Sequence, residues 1–257
     1  MTPAPLPPGP DGPPHGPPLD RQALLAALRA RAARGGRPGA GQEAVPLAAG
    51  IDPALPGGGL ARAGLHEVLA GDPGAAAGFC AMVLGRTAGP VLWIAPEAEA
   101  WPSGLGRFGL PPAQLVLVRA AQGADALWAM EEALRCPTIG GALLMLRDID
   151  TAAARRLQLA AGTGGALGLL LRPDGDAPAA GTALTSWRVS ALPSQGAGAG
   201  ALGDPRWQLD LLRCRGGAAR GWATTWRASL DRLDLDAPAE APEEAAAPAR
   251  RAAGRRR

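Results

Sequence analysis

The sequence predicts an α/β fold: a core with a mostly parallel sheet flanked by helices, then a C-terminal antiparallel extension, between disordered termini. Three observations carry this expectation. Short, nearly continuous apolar runs alternate with helical stretches through the centre, as strands covered on both faces do. After Pro173 the pattern changes to alternating strands joined by Gly-rich turns. A hydrophobic content of 47% over 257 residues can fill a substantial core, whereas the 37 Gly and 27 Pro reach the level at which unstructured segments are expected.

Residues 1–18 are almost wholly Pro, Gly and small side chains, which cannot bury enough surface to offset their ordering entropy. Residues 19–34 read as an amphipathic helix. Asp20 is its acidic cap; Leu24, Leu25 and Leu28 form one stripe; Arg21, Arg29, Arg31 and Arg34 lie elsewhere, and Gly35 and Gly36 stop it. Such a helix either packs on its own core or docks on another protein, and the Gly/Pro-rich linker 35–44 favours docking. Within the folded region 45–236, strands are expected at His66–Ala70, Val91–Ala95, Leu115–Val118, Ala142–Leu146 and Leu167–Leu171. Helices are expected near 75–87, 98–108, 123–135 and 151–162. Leu184–Leu192, Trp207–Arg215 and Gly221–Arg227 form the extension. Residues 237–257 carry Glu240, Glu243 and Glu244 and then a run of arginines, with no apolar pattern for a core.

The chain contains no Lys, so all 26 basic residues are Arg and chemistry requiring an ammonium side chain is excluded. Arg250, Arg251, Arg255, Arg256 and Arg257 account for more than the net charge of +3; without them the chain carries −2. A body of that charge is a poor duplex binder through phosphates, so weak or no direct DNA binding by the core is expected. Cys80, Cys136 and Cys214 lack CxxC spacing, and only His15 and His66 could join them, so free thiols and no metal site are expected. With no membrane-spanning apolar run, the expected setting is cytoplasmic.

Gly64 to Gly78 reads as a strand, a Gly-rich turn and the start of a helix, where a phosphate-binding loop belongs. A working loop has Gly, four residues, Gly, Lys, and Ser or Thr, so that backbone N–H groups, a cation and a hydroxyl meet the phosphates and Mg²⁺. Counting from Gly71, those last three positions hold Ala76, Ala77 and Gly78. Gly71 and Gly74 permit a tight turn, so the loop shape is expected to outlast its chemistry.

Ile51 to Leu60, with its Leu-Pro-Gly-Gly-Gly-Leu run, followed by Gly64-Leu65-His66-Glu67-Val68, resembles the start of the RecA core and, more closely, the RecA-like inducible-mutagenesis family ImuA. The resemblance covers about residues 45–235. It implies an accessory role in the DNA-damage (SOS) response and translesion synthesis. The implied partners are an ImuB-type inactive Y-family polymerase-like protein, RecA, and an error-prone replicative polymerase paralogue. Against RecA-like ATPases, Glu97 matches the glutamate that activates water. Arg147 stands where the metal-binding Asp should follow the strand, and Asp148 comes one residue late. The segment matching the second DNA-binding loop, Arg172 to Gly181, holds two acids, one Arg and no aromatic, a poor surface for single strands. The resemblance thus implies no catalysis and no cofactor. Two rivals stand beside this reading: an atypical ATPase with Glu97 as base and Arg147 as cation, and a SulA-type inhibitor of cell division.

Seven Trp remain in a chain without Tyr. Trp93, Trp101 and Trp128 are expected in or near the α/β core, and Trp187, Trp207, Trp222 and Trp226 on the extension, where Trp222 and Trp226 are candidate partner anchors beside Leu24, Leu25 and Leu28.

Overall fold

The computed structural model describes residues 44–97, 101–175, 181–194 and 203–236. Leu24, Leu25 and Leu28, the linker and both tails lie outside them. A nine-stranded sheet in the order β11-β10-β9-β8-β3-β7-β6-β4-β5 organises the rest. Its parallel strands are β3 (Leu65–Ala70), β4 (Val91–Ala95), β5 (Leu115–Arg119), β6 (Gly141–Met145), β7 (Leu167–Pro173) and β8 (Thr185–Leu192). The antiparallel strands β9 (Arg206–Cys214), β10 (Arg220–Arg227) and β11 (Arg232–Leu235) complete it.

Helices α1 (Pro73–Gly85) and α2 (Pro102–Gly106) contribute to the core on one face, and α3 (Gly123–Arg135) and α4 (Thr151–Gly164) to the core on the other. The core splits accordingly: Val68, Phe79, Trp93, Leu143 and Trp187 lie on the α1 side, and Leu65, Leu92, Met130, Leu144 and Leu157 on the α3–α4 side. β4 and β6 are apolar at every position because both faces of the sheet are covered there. The buried apolar residues of β8–β11 all belong to the α1-side core.

The elements expected in the α/β core are present. The segment expected to be helical over 98–108 shrinks to Pro102–Gly106, with two glycines inside it, and 98–100 lie outside the described residues. The strand beginning at Leu184 alternates like its successors, yet β8 runs parallel to β3 and antiparallel only to β9. Alternation reports which faces are buried, not strand direction. β11 and a small antiparallel pair, β1 (Ala44–Val45) with β2 (Leu60–Ala61), are additional. Gly57 to Gly59 carry the chain into that pair at φ of +80°, +74° and +159°, and a Cβ on Gly59 would sit 2.5 Å from the Val45 carbonyl oxygen. That close approach explains the triple-glycine run.

Candidate functional site

The carboxyl ends of β3, β4, β6 and β7 share one edge of the sheet, the edge at which open α/β proteins bind ligands. β3 ends at Ala70 and α1 starts at Pro73, so Gly71 and Asp72 alone join them. Six of the eight positions of the degenerate motif, Pro73 to Gly78, are already helical, and the expected loop shape is not there. The cause is local. Asp72 has extended backbone, its carboxylate accepts the Ala75 N–H at 2.8 Å, and Pro73 occupies the first helical position. An acidic cap followed by proline is a strong start signal, readable in the sequence.

This arrangement consumes the donors a phosphate would need. Gly71 N–H bonds Leu69 O, Asp72 N–H bonds Val189 O, Pro73 has none, and Ala75 and Ala76 donate to the side chain and carbonyl of Asp72. Only Gly74 lacks such a bond among the described residues. A carboxylate thus stands at the positive end of α1, where an anion would be held. Ala76 is fully buried in the helix, Ala77 half-buried, and a Cβ on Gly78 would meet the rings of Phe108 and Trp207 at 3.1 Å. The metal-binding hydroxyl therefore has an aromatic wall in its place.

Glu97 is exposed just beyond β4. β6 ends at Met145, so Arg147 and Asp148 lie past the strand, both exposed, and strand alternation does not set their direction. The Arg147 carbonyl accepts from Arg172 Nε at 2.9 Å. Arg172, counted in the sequence as the one cation of the second loop, belongs to β7 and is buried; it is not a loop cation at all. Residues 176–180 of that segment lie outside the described residues.

Arg172 instead completes a buried network that sequence reasoning missed. Its guanidinium donates to Glu67 Oε1 at 2.8 Å, and Ser186 Oγ donates to Glu67 Oε2 at 2.5 Å. One residue earlier, His66 Nε2 donates to the Ala61 carbonyl at 2.9 Å, which leaves Nδ1 to accept from the Thr185 hydroxyl at 2.8 Å; that hydroxyl accepts from Trp187 Nε1. Burial holds the imidazole neutral, its pKa pushed down to about 4. The signal for this network was two polar residues, His66 and Glu67, inside an otherwise apolar central strand.

The readings of Trp226 and Trp101 are corrected by the structure. Trp226 is 1% exposed, stacks on Trp207 at 6.4 Å and donates its indole N–H to the Arg107 carbonyl at 2.9 Å, so it is a core residue. Trp222 is half-buried, with Trp187 at 6.0 Å. Trp101, placed with the core by sequence, is 75% exposed at the start of α2, because Pro102 opens that short helix and leaves the preceding residue outside its packing. No group of three or more His, Cys, Asp and Glu able to hold a metal occurs among the described residues. Among the same residues, no helix is long and apolar enough to cross a membrane.

A parallel sheet with helices on both faces, and a strand–turn–helix at its carboxyl edge, defines a RecA-like α/β protein, here with a capped helix in place of the phosphate cradle. The fold is similar to that of the RadB recombinase, with a TM-score of 0.53 at 13% identity, covering 72% of this chain and 96% of that one. In sequence the chain is 37% identical over 194 residues to Protein ImuA of Caulobacter vibrioides, in each of two strains, spanning 67% of this chain and 78% of the relative. The chain belongs to the ImuA family. A shorter similarity, 33% over 82 residues, links 32% of the chain to 49% of the cell division inhibitor SulA of Edwardsiella piscicida. No family model matches the chain.

Proposed function

We propose that this chain is a non-catalytic, RecA-shaped binding protein of DNA-damage-induced mutagenesis, acting in the cytoplasm. In this reading it joins an inactive Y-family polymerase-like protein of the ImuB type, with RecA and an error-prone replicative polymerase paralogue as further members of the translesion assembly. Membership of the ImuA family supports the process and the partners. The observation that carries the non-catalytic role is the Asp72 cap, which takes the N–H groups and the positive helix end that a triphosphate would use. Losing the loop cation and hydroxyl removes charge-assisted contacts of roughly 1.5–3 kcal/mol each, a hundredfold or more in affinity. Without a nucleotide to drive conformational change, the remaining use of the fold is to present surfaces.

Two measurements test this. ATP turnover by the chain should equal that of Glu97→Gln; a higher rate reinstates the atypical ATPase. Capture from damaged cells should recover the polymerase-like partner, and Leu24→Asp with Leu28→Asp should abolish recovery while leaving the melting temperature unchanged. The SulA similarity favours one alternative, inhibition of cell division. Recovery of a division protein without any polymerase-like protein would establish that reading instead.

A further inference from the structure

A groove of about 440 Å³ lies beside α4. Thr151, Arg155, Gln158 and Leu159 line it from the helix, at the spacing that puts side chains on one helical face, and Arg215 lines it from just past the end of β9. Both walls are held from behind. Gln158 Oε1 accepts the Leu65 N–H of the central strand at 2.9 Å, and the Arg215 N–H donates to the Leu184 carbonyl at 2.9 Å. The groove is therefore formed before anything enters it.

Three observations give the chemistry of its ligand. The first is charge. Arg156 turns to α3 and holds Glu131 at 3.5 Å, and on the extension Arg188, Arg206, Arg227 and Arg232 each hold an Asp within 3.0 Å. Arg155 and Arg215, both exposed, have no carboxylate partner among the described residues. Asp150, at the start of α4, is taken up as the helix cap through the Ala153 N–H at 2.6 Å. The second is Leu159, one turn beyond Arg155 and 66% exposed. The third is Gly162, which continues the same helical face. A Cβ there would meet nothing within 4 Å, whereas one on Gly164 would strike the Leu134 carbonyl oxygen. Glycine weakens a helix interior, and packing within the chain does not require it at 162. An open glycine leaves room for a second backbone to come close. Two uncompensated guanidinium groups, an exposed leucine and that clearance fit an extended acidic peptide carrying an apolar residue. A nucleic acid strand fits less well, since no aromatic ring is among the lining residues for bases to stack on.

We propose that this groove binds an acidic segment of another protein, extended along α4 with carboxylates on Arg155 and Arg215, an apolar side chain on Leu159 and its backbone passing Gly162. The site stands on the groove's own geometry and charge, whichever process the chain serves. The test titrates the full chain into a fluorescent peptide, Asp-Asp-Leu-Asp-Asp, and reads anisotropy at low salt, where saturable binding is expected. Arg155→Gln with Arg215→Gln should weaken binding about tenfold and Leu159→Ser about fivefold, while Arg156→Gln should leave it unchanged. Gly162→Gln should weaken it with a melting temperature equal to the parent's or higher. Near 1 M salt, where screening acts within about 3 Å, the parent should bind as weakly as the double variant. Replacing the peptide's leucine with serine should weaken binding to the parent but bring no further loss in Leu159→Ser. Lack of saturable binding, or equal binding by the parent and the double variant, would overturn the proposal. So would a tighter complex with an oligothymidylate that the double variant loses, which would give the groove to nucleic acid. Self-association of the parent that the double variant lacks would give it to a second copy of the chain and overturn the proposal likewise.

Discussion

The Asp72 carboxylate accepts the Ala75 N–H at 2.8 Å, at the point where a RecA-type protein presents its phosphate-binding loop. A single side chain thereby starts α1 two residues after β3 and supplies the negative charge that the helix end attracts. Replacing Asp72 with Ala should cost about 1 kcal/mol in urea unfolding, while Asn should retain most of the cap. Neither variant should gain Mg-ATP affinity by calorimetry. Micromolar binding by Asp72→Ala would show that the carboxylate merely plugs an intact cradle.

Restoring the missing chemistry by Ala77→Lys with Gly78→Thr should likewise fail to create nucleotide binding. Both positions lie in the helix rather than at the tip of a loop. The new side chain at 78 meets Phe108 and Trp207, so the double variant should lose roughly 1–3 kcal/mol of stability through overpacking. A variant as stable as the parent that binds ATP would contradict the geometry.

Glu67 and Arg172 have side chains 0% and 6% exposed and are joined at 2.8 Å. Removing one partner leaves a buried charge, so Glu67→Leu or Arg172→Met should each cost roughly 3–5 kcal/mol, and the two together less than their sum. Additive losses in a double-mutant cycle would mean that the ion pair is energetically irrelevant. Because Arg172 also holds the Arg147 carbonyl, hydrogen exchange after β6 should accelerate in Arg172→Met.

The depressed pKa of His66 makes stability depend on pH with a definite sign. Folded His66 takes up its proton near pH 4, whereas the unfolded residue does so near 6.5, so between those values the unfolded chain binds more protons. Stability should be fully present above pH 6.5 and fall by roughly 3 kcal/mol as the pH drops towards 4. In His66→Gln this component should be missing from a pH series of urea midpoints. An unchanged slope in that variant would locate the dependence elsewhere.

Two tryptophans should separate cleanly. Trp226→Ala removes a core ring and an indole hydrogen bond and should cost roughly 3–5 kcal/mol, whereas Trp101→Ala should stay within about 0.5 kcal/mol of the parent. If Trp101 anchors the proposed polymerase-like partner, capture should weaken in the second variant alone. Weakened capture with Trp226→Ala at an unchanged melting temperature would return that residue to the interface.

Much of the fold was legible because periodicity and composition are local. The apolar runs of β3, β4, β6 and β7, the missing loop cation and hydroxyl at Ala77 and Gly78, and the Leu-His-Glu-Val run that marks the family can all be read along the chain. Asp72-Pro73 was equally readable as a helix start, but counting a loop motif across it obscured that signal. Which side chains meet was not legible. Trp226 looked like an anchor on a thin sheet because nothing nearby in sequence reveals that Trp207, Phe108 and Arg107 close over it.

By itself the sequence determined the α/β class, the order of the main elements and the loss of the loop's charged groups, because these follow from residue types and their spacing. Only the tertiary structure decided that β8 runs parallel to β3, that Arg172 serves Glu67 rather than a nucleic acid, and that Gly78 faces aromatic rings. Those outcomes depend on contacts between residues up to 129 positions apart, such as Gly78 with Trp207, and no local pattern encodes a partner brought close only when the sheet closes.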